Sequence, residues 1–203
     1  MMIKKEELGY YYEEECYIFD IVLEKLKQHF IIYWIGKESS NVKRTQTAFN
    51  AVQLDKKAKI DATLVRVFQG DEIEELTGLF PRGFVLIEGA TRQSSEIKAS
   101  KILFQIKTRF TLNPKAAQVP VDASSLNSGD SFSLYNEGTA YIWLGQGSNE
   151  GERKFVRSFA EGMKVVEMEE GSETDEFWDL MGGKKEYDHV LTSEYADFDP
   201  RLF

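Results

Sequence analysis

The chain has 203 residues, 42% hydrophobic and 29% charged, which suits one large folded domain or two small ones and excludes a disordered polymer. Acidic residues outnumber basic ones by 34 to 25, giving a formal charge of -9, and with no long basic block a nucleic acid is not an expected partner. Cys16 is the only cysteine, so no internal disulfide can form, and no apolar run approaches the roughly 18 residues that span a bilayer. Lys4, Lys5, Glu6 and Glu7 precede any apolar stretch, the wrong order for a secretory leader. A cytoplasmic protein without a membrane partner is expected.

In chain order, 16–23 and 30–35 read as strands from their β-branched and aromatic content, with the polar stretch 24–29 as the turn of a hairpin. Ser40 or Asn41 caps a helix running to about Leu54, with Ala48, Phe49, Ala51, Val52 and Leu54 as its apolar stripe. A strand over 63–69, a short helix over 71–80 and a strand over 84–88 complete this unit. Residues 89–100 carry Gly, Ser, Thr and Gln with little hydrophobicity and read as a linker. A new leading strand over 102–107 has no counterpart earlier. The same order then returns as strands over 131–135 and 140–144, a helix over 149–161, a strand over 164–167 and a short helix near 176–181.

The recurrence is visible residue by residue. Tyr33-Trp34-Ile35-Gly36 answers to Ile142-Trp143-Leu144-Gly145, and Gly70 to Leu76 align without gaps on Gly171 to Phe177, with Leu79 on Leu180. Two α+β units are expected, over 1–92 and 102–203, joined by 93–101. Lys101-Ile102-Leu103-Phe104 also resembles the closing Pro200-Arg201-Leu202-Phe203.

Few motifs carry chemistry. Gly145-Gln146-Gly147-Ser148-Asn149-Glu150-Gly151 is a poor phosphate loop, because its last glycine falls one place late and Glu150 and Glu152 would repel a pyrophosphate. His29 and His189 fall in different units, His29 in the hairpin turn, and Cys16 opens a strand; two solvated imidazoles and a half-buried thiol are expected rather than a catalytic dyad. No zinc-like spacing exists. An enzyme is therefore not expected. Gly129, Asp130 and Glu152 offer one carbonyl and two carboxylate oxygens of the kind calcium accepts. On spacing alone, Asp130 also reads as a turn residue and Glu152 as a helix N-terminal charge.

Tyr33 to Ser40, Ala51 to Asp55, Gln69 to Glu72 and Leu79-Phe80 closely resemble the first domain of gelsolin and villin. Leu103 to Lys107, Val119-Pro120-Val121, Ser125 to Asp130, Glu176-Phe177-Trp178 and Gly182 to Lys185 resemble the second or fifth domain of that family. The resemblance covers nearly the whole chain. It implies, for each repeat, a mixed sheet of about five strands between one long and one short helix, with the leading strand lacking in the first repeat. It also implies a protein, monomeric on its own, that binds actin monomers, caps filaments and often severs them under calcium control.

The family's site positions carry over to numbered residues. An internal calcium would be held by Gly129, Asp130 and Glu152, with Glu194 the candidate fourth ligand. In the first repeat Glu15 and Lys43 stand at the corresponding places, and an ion pair is expected instead of the metal. A second calcium, shared with actin, would be held by Asp55, Ile60 and Ala62. Phe49, Val52 and Asp55 would face the actin monomer, and Lys107 and Arg109 the filament side. The family's polybasic lipid segment is replaced by 89–100, with Arg92 and Lys98 alone, so strong phosphoinositide control is not expected. The alternative is a calcium-binding scaffold of the same fold with a partner other than actin.

Overall fold

The computed structural model describes residues 9–57, 61–80, 83–91, 93–108 and 113–191. They gather into two compact units, one holding Tyr10–Phe80 and Leu86–Thr91, the other Gly9, residues 83–85 and the described residues from 93 onward.

In the first unit, strand β1 (Tyr10–Tyr12) precedes β2 (Cys16–Leu23) and β3 (Gln28–Ile35). β2 and β3 pair antiparallel, with Cys16 opposite Ile35 and Leu23 opposite Gln28. Helix α1 (Asn41–Asp55) starts where the Ser40 hydroxyl accepts the Lys43 N–H, a cap that satisfies one of the free first-turn donors. β4 (Ala62–Phe68) returns parallel to β3, as a helical crossover requires, giving the order β2-β3-β4. The short helix α2 (Glu74–Thr77) and strand β5 (Phe84–Ile87) follow. Tyr11, Tyr17, Phe19 and Phe80 pack edge to face at centroid distances of 5.1 to 5.7 Å.

The second unit opens with helix α3 (Ser94–Ala99), inside the stretch expected as a linker; a capping box between Gln93 and Glu96 explains why so short a segment is helical. Strands β6 (Ile102–Lys107), β7 (Lys115–Val119), β8 (Ser131–Asn136), β9 (Thr139–Leu144) and β10 (Lys164–Glu169) form the order β7-β6-β8-β9-β10. Only the β9–β10 pair is parallel, and it spans the crossover through α4 (Glu150–Phe159). Alternation on the strands sends side chains to two cores. Leu103, Phe132, Leu134 and Trp143 meet Phe177, Trp178 and Met181 from the short helix α5 (Asp175–Leu180) and the residue after it. On the other face Phe104 and Tyr135 pack against Phe159 of α4 at 5.0 and 5.3 Å.

Five neighbouring strands, β7-β6-β8-β9-β10, thus lie between a long and a short helix, close to the expected repeat, with β7 added to the strands read from the sequence. The first unit departs from five strands: its sheet has three. Among the described residues the hairpin β6–β7 that widens the second sheet has no equivalent ahead of β2, where the three-residue β1 stands, its end tied by the Glu13 N–H to the Ile87 carbonyl. His29 is also corrected. It lies in β3 rather than in the turn, is 8% exposed, and its Nε2 is 2.6 Å from the Asp20 carboxylate, because the turn closes early through a 3-10 segment, Glu24–Leu26, with Lys27 in the left-handed region. No helix among the described residues is long and apolar enough to cross a membrane.

Candidate functional site

The repeated sequence produces one repeated hydrogen-bond frame. Trp34 Nε1 donates to Glu72 at 3.0 Å and Trp143 Nε1 to Glu173 at 2.8 Å; the same carboxylates accept the N–H groups of Gly70 and Gly171. The Ser39 and Ser148 hydroxyls each donate to the carbonyl three residues back, on Gly36 and Gly145, at 2.6 Å. Arg44 and Arg153 then reach those hydroxyls at 3.0 Å. Gly36 and Gly145 must be glycine: a Cβ would lie 2.6 Å from the Glu15 carbonyl in one repeat and from the Asp130 carbonyl in the other. This close approach fixes the residue at the head of β2 or β8 against the first turn of the long helix.

In the second repeat that geometry joins two carboxylates. Asn127 turns the chain into β8, its Oδ1 accepting the Gly129 N–H at 3.0 Å and its Nδ2 donating to Asp130 at 2.9 Å. Gln105 from β6 donates to the same Asp130 oxygen at 2.6 Å. Glu152 comes from α4 through a capping box with Asn149 and also accepts the Thr108 N–H at 2.7 Å. Asp130 is 7% exposed and Glu152 1%. Burial, aided by the negative charge of Asp130, pushes the Glu152 carboxyl up to about 7, against the two backbone N–H groups that favour its ionised form. Two buried carboxylates next to the Gly129 carbonyl are a hard oxygen set suited to calcium. Among the described residues no cluster of three or more His, Cys, Asp or Glu side chains forms. Glu194 lies outside the described residues.

In the first repeat the same positions hold Glu15 and Lys43. Lys43 Nζ is 2.8 Å from the Glu15 carboxylate and 3.0 Å from the Glu14 carbonyl.

Helix α1 is the other feature. Of its residues only Ala51 is fully buried, while Val42 is 78%, Phe49 59% and Val52 37% exposed. These three lie at helical spacing along one side, and Asn41, Val42, Thr45, Gln46 and Phe49 line a groove there. The expected stripe is therefore split, with Ala51 inward and Phe49 and Val52 outward. Asp55 ends the helix half-buried and Ala62 begins β4; Ile60 between them lies outside the described residues. Lys107 closes β6, its Nζ 3.5 Å from Gln105, and Arg109 is outside the described residues.

Sequence reading missed Gln105 and Thr108, which only the sheet brings to the acidic pair. Asn127 was legible as a turn residue beside Ser128-Gly129. It also missed a cluster in which the Ser128 hydroxyl donates to Glu170 at 2.6 Å, Tyr187 donates to the same carboxylate at 3.2 Å, and His189 lies 3.2 Å from Ser128. Because Ser128 gives its hydrogen to Glu170 and not to the imidazole, this is a tether for residues 187–189 rather than an activated nucleophile.

The family model described as the Gelsolin repeat matches residues 11–77 and again 113–178. The chain belongs to the gelsolin family. Mouse advillin is 34% identical over 96% of this chain and 25% of its own length; Xenopus laevis gelsolin is 35% identical over 87% of this chain and 44% of its own. The chain thus spans less than half the length of either relative. A chain in the crystal structure of the Thorarchaeota 2DGel3/rabbit actin complex is 22% identical, with 88% of this chain and 92% of that one covered and a TM-score of 0.37. The two matched segments each contain one copy of the tryptophan, glycine and serine frame.

Proposed function

We propose that this gelsolin-family chain is a cytoplasmic actin-binding protein that docks on an actin monomer through helix α1 and is stabilised in its binding-competent form by calcium. The observation that carries this reading is the outward apolar side of α1. A folded protein gains nothing from leaving Val42, Phe49 and Val52 in water, and a helix that presents anchors at this spacing suits an apolar groove on a partner. Asp55, at the end of the same helix, would share a cation with an acidic partner across the interface, together with Ile60 and Ala62. Lys107 and Arg109 would contact the filament. Capping and severing are the activities that the family resemblance adds.

In the second repeat the Gly129 carbonyl and the Asp130 and Glu152 carboxylates would hold the metal. Bound calcium supplies positive charge between two buried carboxylates. The chain's part is to hold Glu152 in the capping box, orient Asp130 through Gln105 and Asn127, and release the Glu152 proton on binding.

The test is pyrene-actin polymerisation and filament co-sedimentation with the whole chain, in calcium and in chelator. Slowed polymerisation that weakens in chelator is expected. No effect on actin in either condition would overturn the reading in favour of a calcium-binding scaffold with another partner.

A further inference from the structure

The two repeats present different charges at one structural position. In the second, the Gly129–Asp130 turn faces Glu152 in the first turn of α4, and two negative charges converge. In the first, Glu14–Glu15 occupies the same place beside Gly36, as shown by the matching bonds from the Gly36 N–H to the Glu15 carbonyl and from the Gly145 N–H to the Asp130 carbonyl. There the residue from the first turn of the long helix is Lys43, whose ammonium is bonded both to the Glu15 carboxylate and to the Glu14 carbonyl. A carbonyl and a carboxylate on successive residues, both holding one cation, are the oxygens that Gly129 and Asp130 offer in the other repeat.

We infer that Lys43 is a built-in cation: its ammonium occupies the first repeat's copy of the divalent-metal position, closing that repeat onto α1 without metal and confining internal calcium binding to the second repeat. The chemistry is direct. An ammonium donates up to three hydrogen bonds to the oxygens that would otherwise coordinate a metal, and its charge excludes a divalent ion from the same spot. The helix supports it as well, because the Ser40 hydroxyl caps the Lys43 N–H and so sets where the side chain starts. Other charges nearby do not replace it: Arg44 is committed to Ser39 and to the carbonyls of Gly36 and Lys37. The consequence is a division of labour in which the actin-facing helix is held in place at any calcium level, while the second repeat responds to calcium.

The inference shares with the proposed function the reading of Asp130 and Glu152 as calcium ligands, and calorimetric titration with calcium chloride separates the two. Lys43→Glu is expected to bind one more equivalent than the unaltered protein, and Glu15→Gln added to it is expected to remove that equivalent. Unchanged stoichiometry in a Lys43→Glu protein that still unfolds cooperatively would overturn the inference. Asp130→Asn in the unaltered background bears on the proposed function alone. Should Lys43→Glu fail to fold, thermal midpoints of Lys43→Met, Glu15→Gln and their combination in chelator decide the point: non-additive losses are expected, and additive ones would overturn it.

Discussion

Helix α4 turns Phe155, Val156 and Phe159 into its own unit, whereas α1 buries only Ala51 and leaves Val42, Phe49 and Val52 outside. Both helices leave the same frame of tryptophan, glycine, serine and arginine, begin at a side-chain cap and cross over to a parallel strand. Their capping residues differ in consequence: Asn149 delivers a glutamate to a buried site, Ser40 a lysine to a half-exposed one. A duplicated scaffold can thus diverge at its helix without disturbing the contacts that fix the helix to the sheet. The long helix of the second repeat turns its apolar side chains inward and carries a buried carboxylate; that of the first carries a paired lysine and leaves apolar side chains outside.

The shared frame is the place to break this comparison most severely. Gly145→Ala would drive a methyl to 2.5 Å from the Ser128 carbonyl, and Gly36→Ala one to 2.3 Å from the Glu13 carbonyl. Each is expected to cost about 3 kcal/mol in urea unfolding, since backbone rather than a flexible side chain must give way. An effect confined to one of the two glycines would mean that the frame is not equivalent in the repeats.

A smaller effect sharpens the difference in charge. With the Glu152 carboxyl raised to about 7, the folded chain holds a proton between the ordinary carboxylate range and pH 7 that the unfolded chain has released. Stability in chelator therefore falls as pH rises through that window and levels off above it. Glu152→Gln stays neutral throughout, so it is expected to flatten this slope and to gain about 1–2 kcal/mol at pH 8, after discounting the one N–H acceptor lost. It should also abolish stabilisation by calcium. An unchanged pH slope in equilibrium unfolding would show that Glu152 is not the group in question.

Much of this was legible in the sequence for identifiable reasons. The β2 and β6 ranges follow directly from β-branched and aromatic runs, and Ser40 and Asn149 mark both long helices because caps are local chemistry. The Glu15–Lys43 pair was expected from the family's site positions, and the ion pair is present at 2.8 Å. What depends on tertiary placement was not legible. β7 carries two alanines and a glutamine, too little β-propensity to announce a strand, and is held by pairing with β6. His29 was misplaced because a single left-handed residue, Lys27, shortens the turn. Gln105 reaches Asp130 only because β6 lies beside β8. The outward place of Phe49 was implied by the family resemblance and not by the stripe, in which it neighbours Ala48 and Ala51; the helix's orientation on its sheet decides it.

In the proposed function the outward side of α1 is a partner surface and not a part of this chain's core. Its most direct test is the affinity of Phe49→Asp for actin monomers, measured beside its thermal unfolding. Phe49 is 59% exposed, so the substitution is expected to leave stability within about 0.5 kcal/mol while monomer binding is lost. Retained binding by a folded Phe49→Asp protein, or a loss of binding that comes with a loss of cooperative unfolding, would contradict this reading.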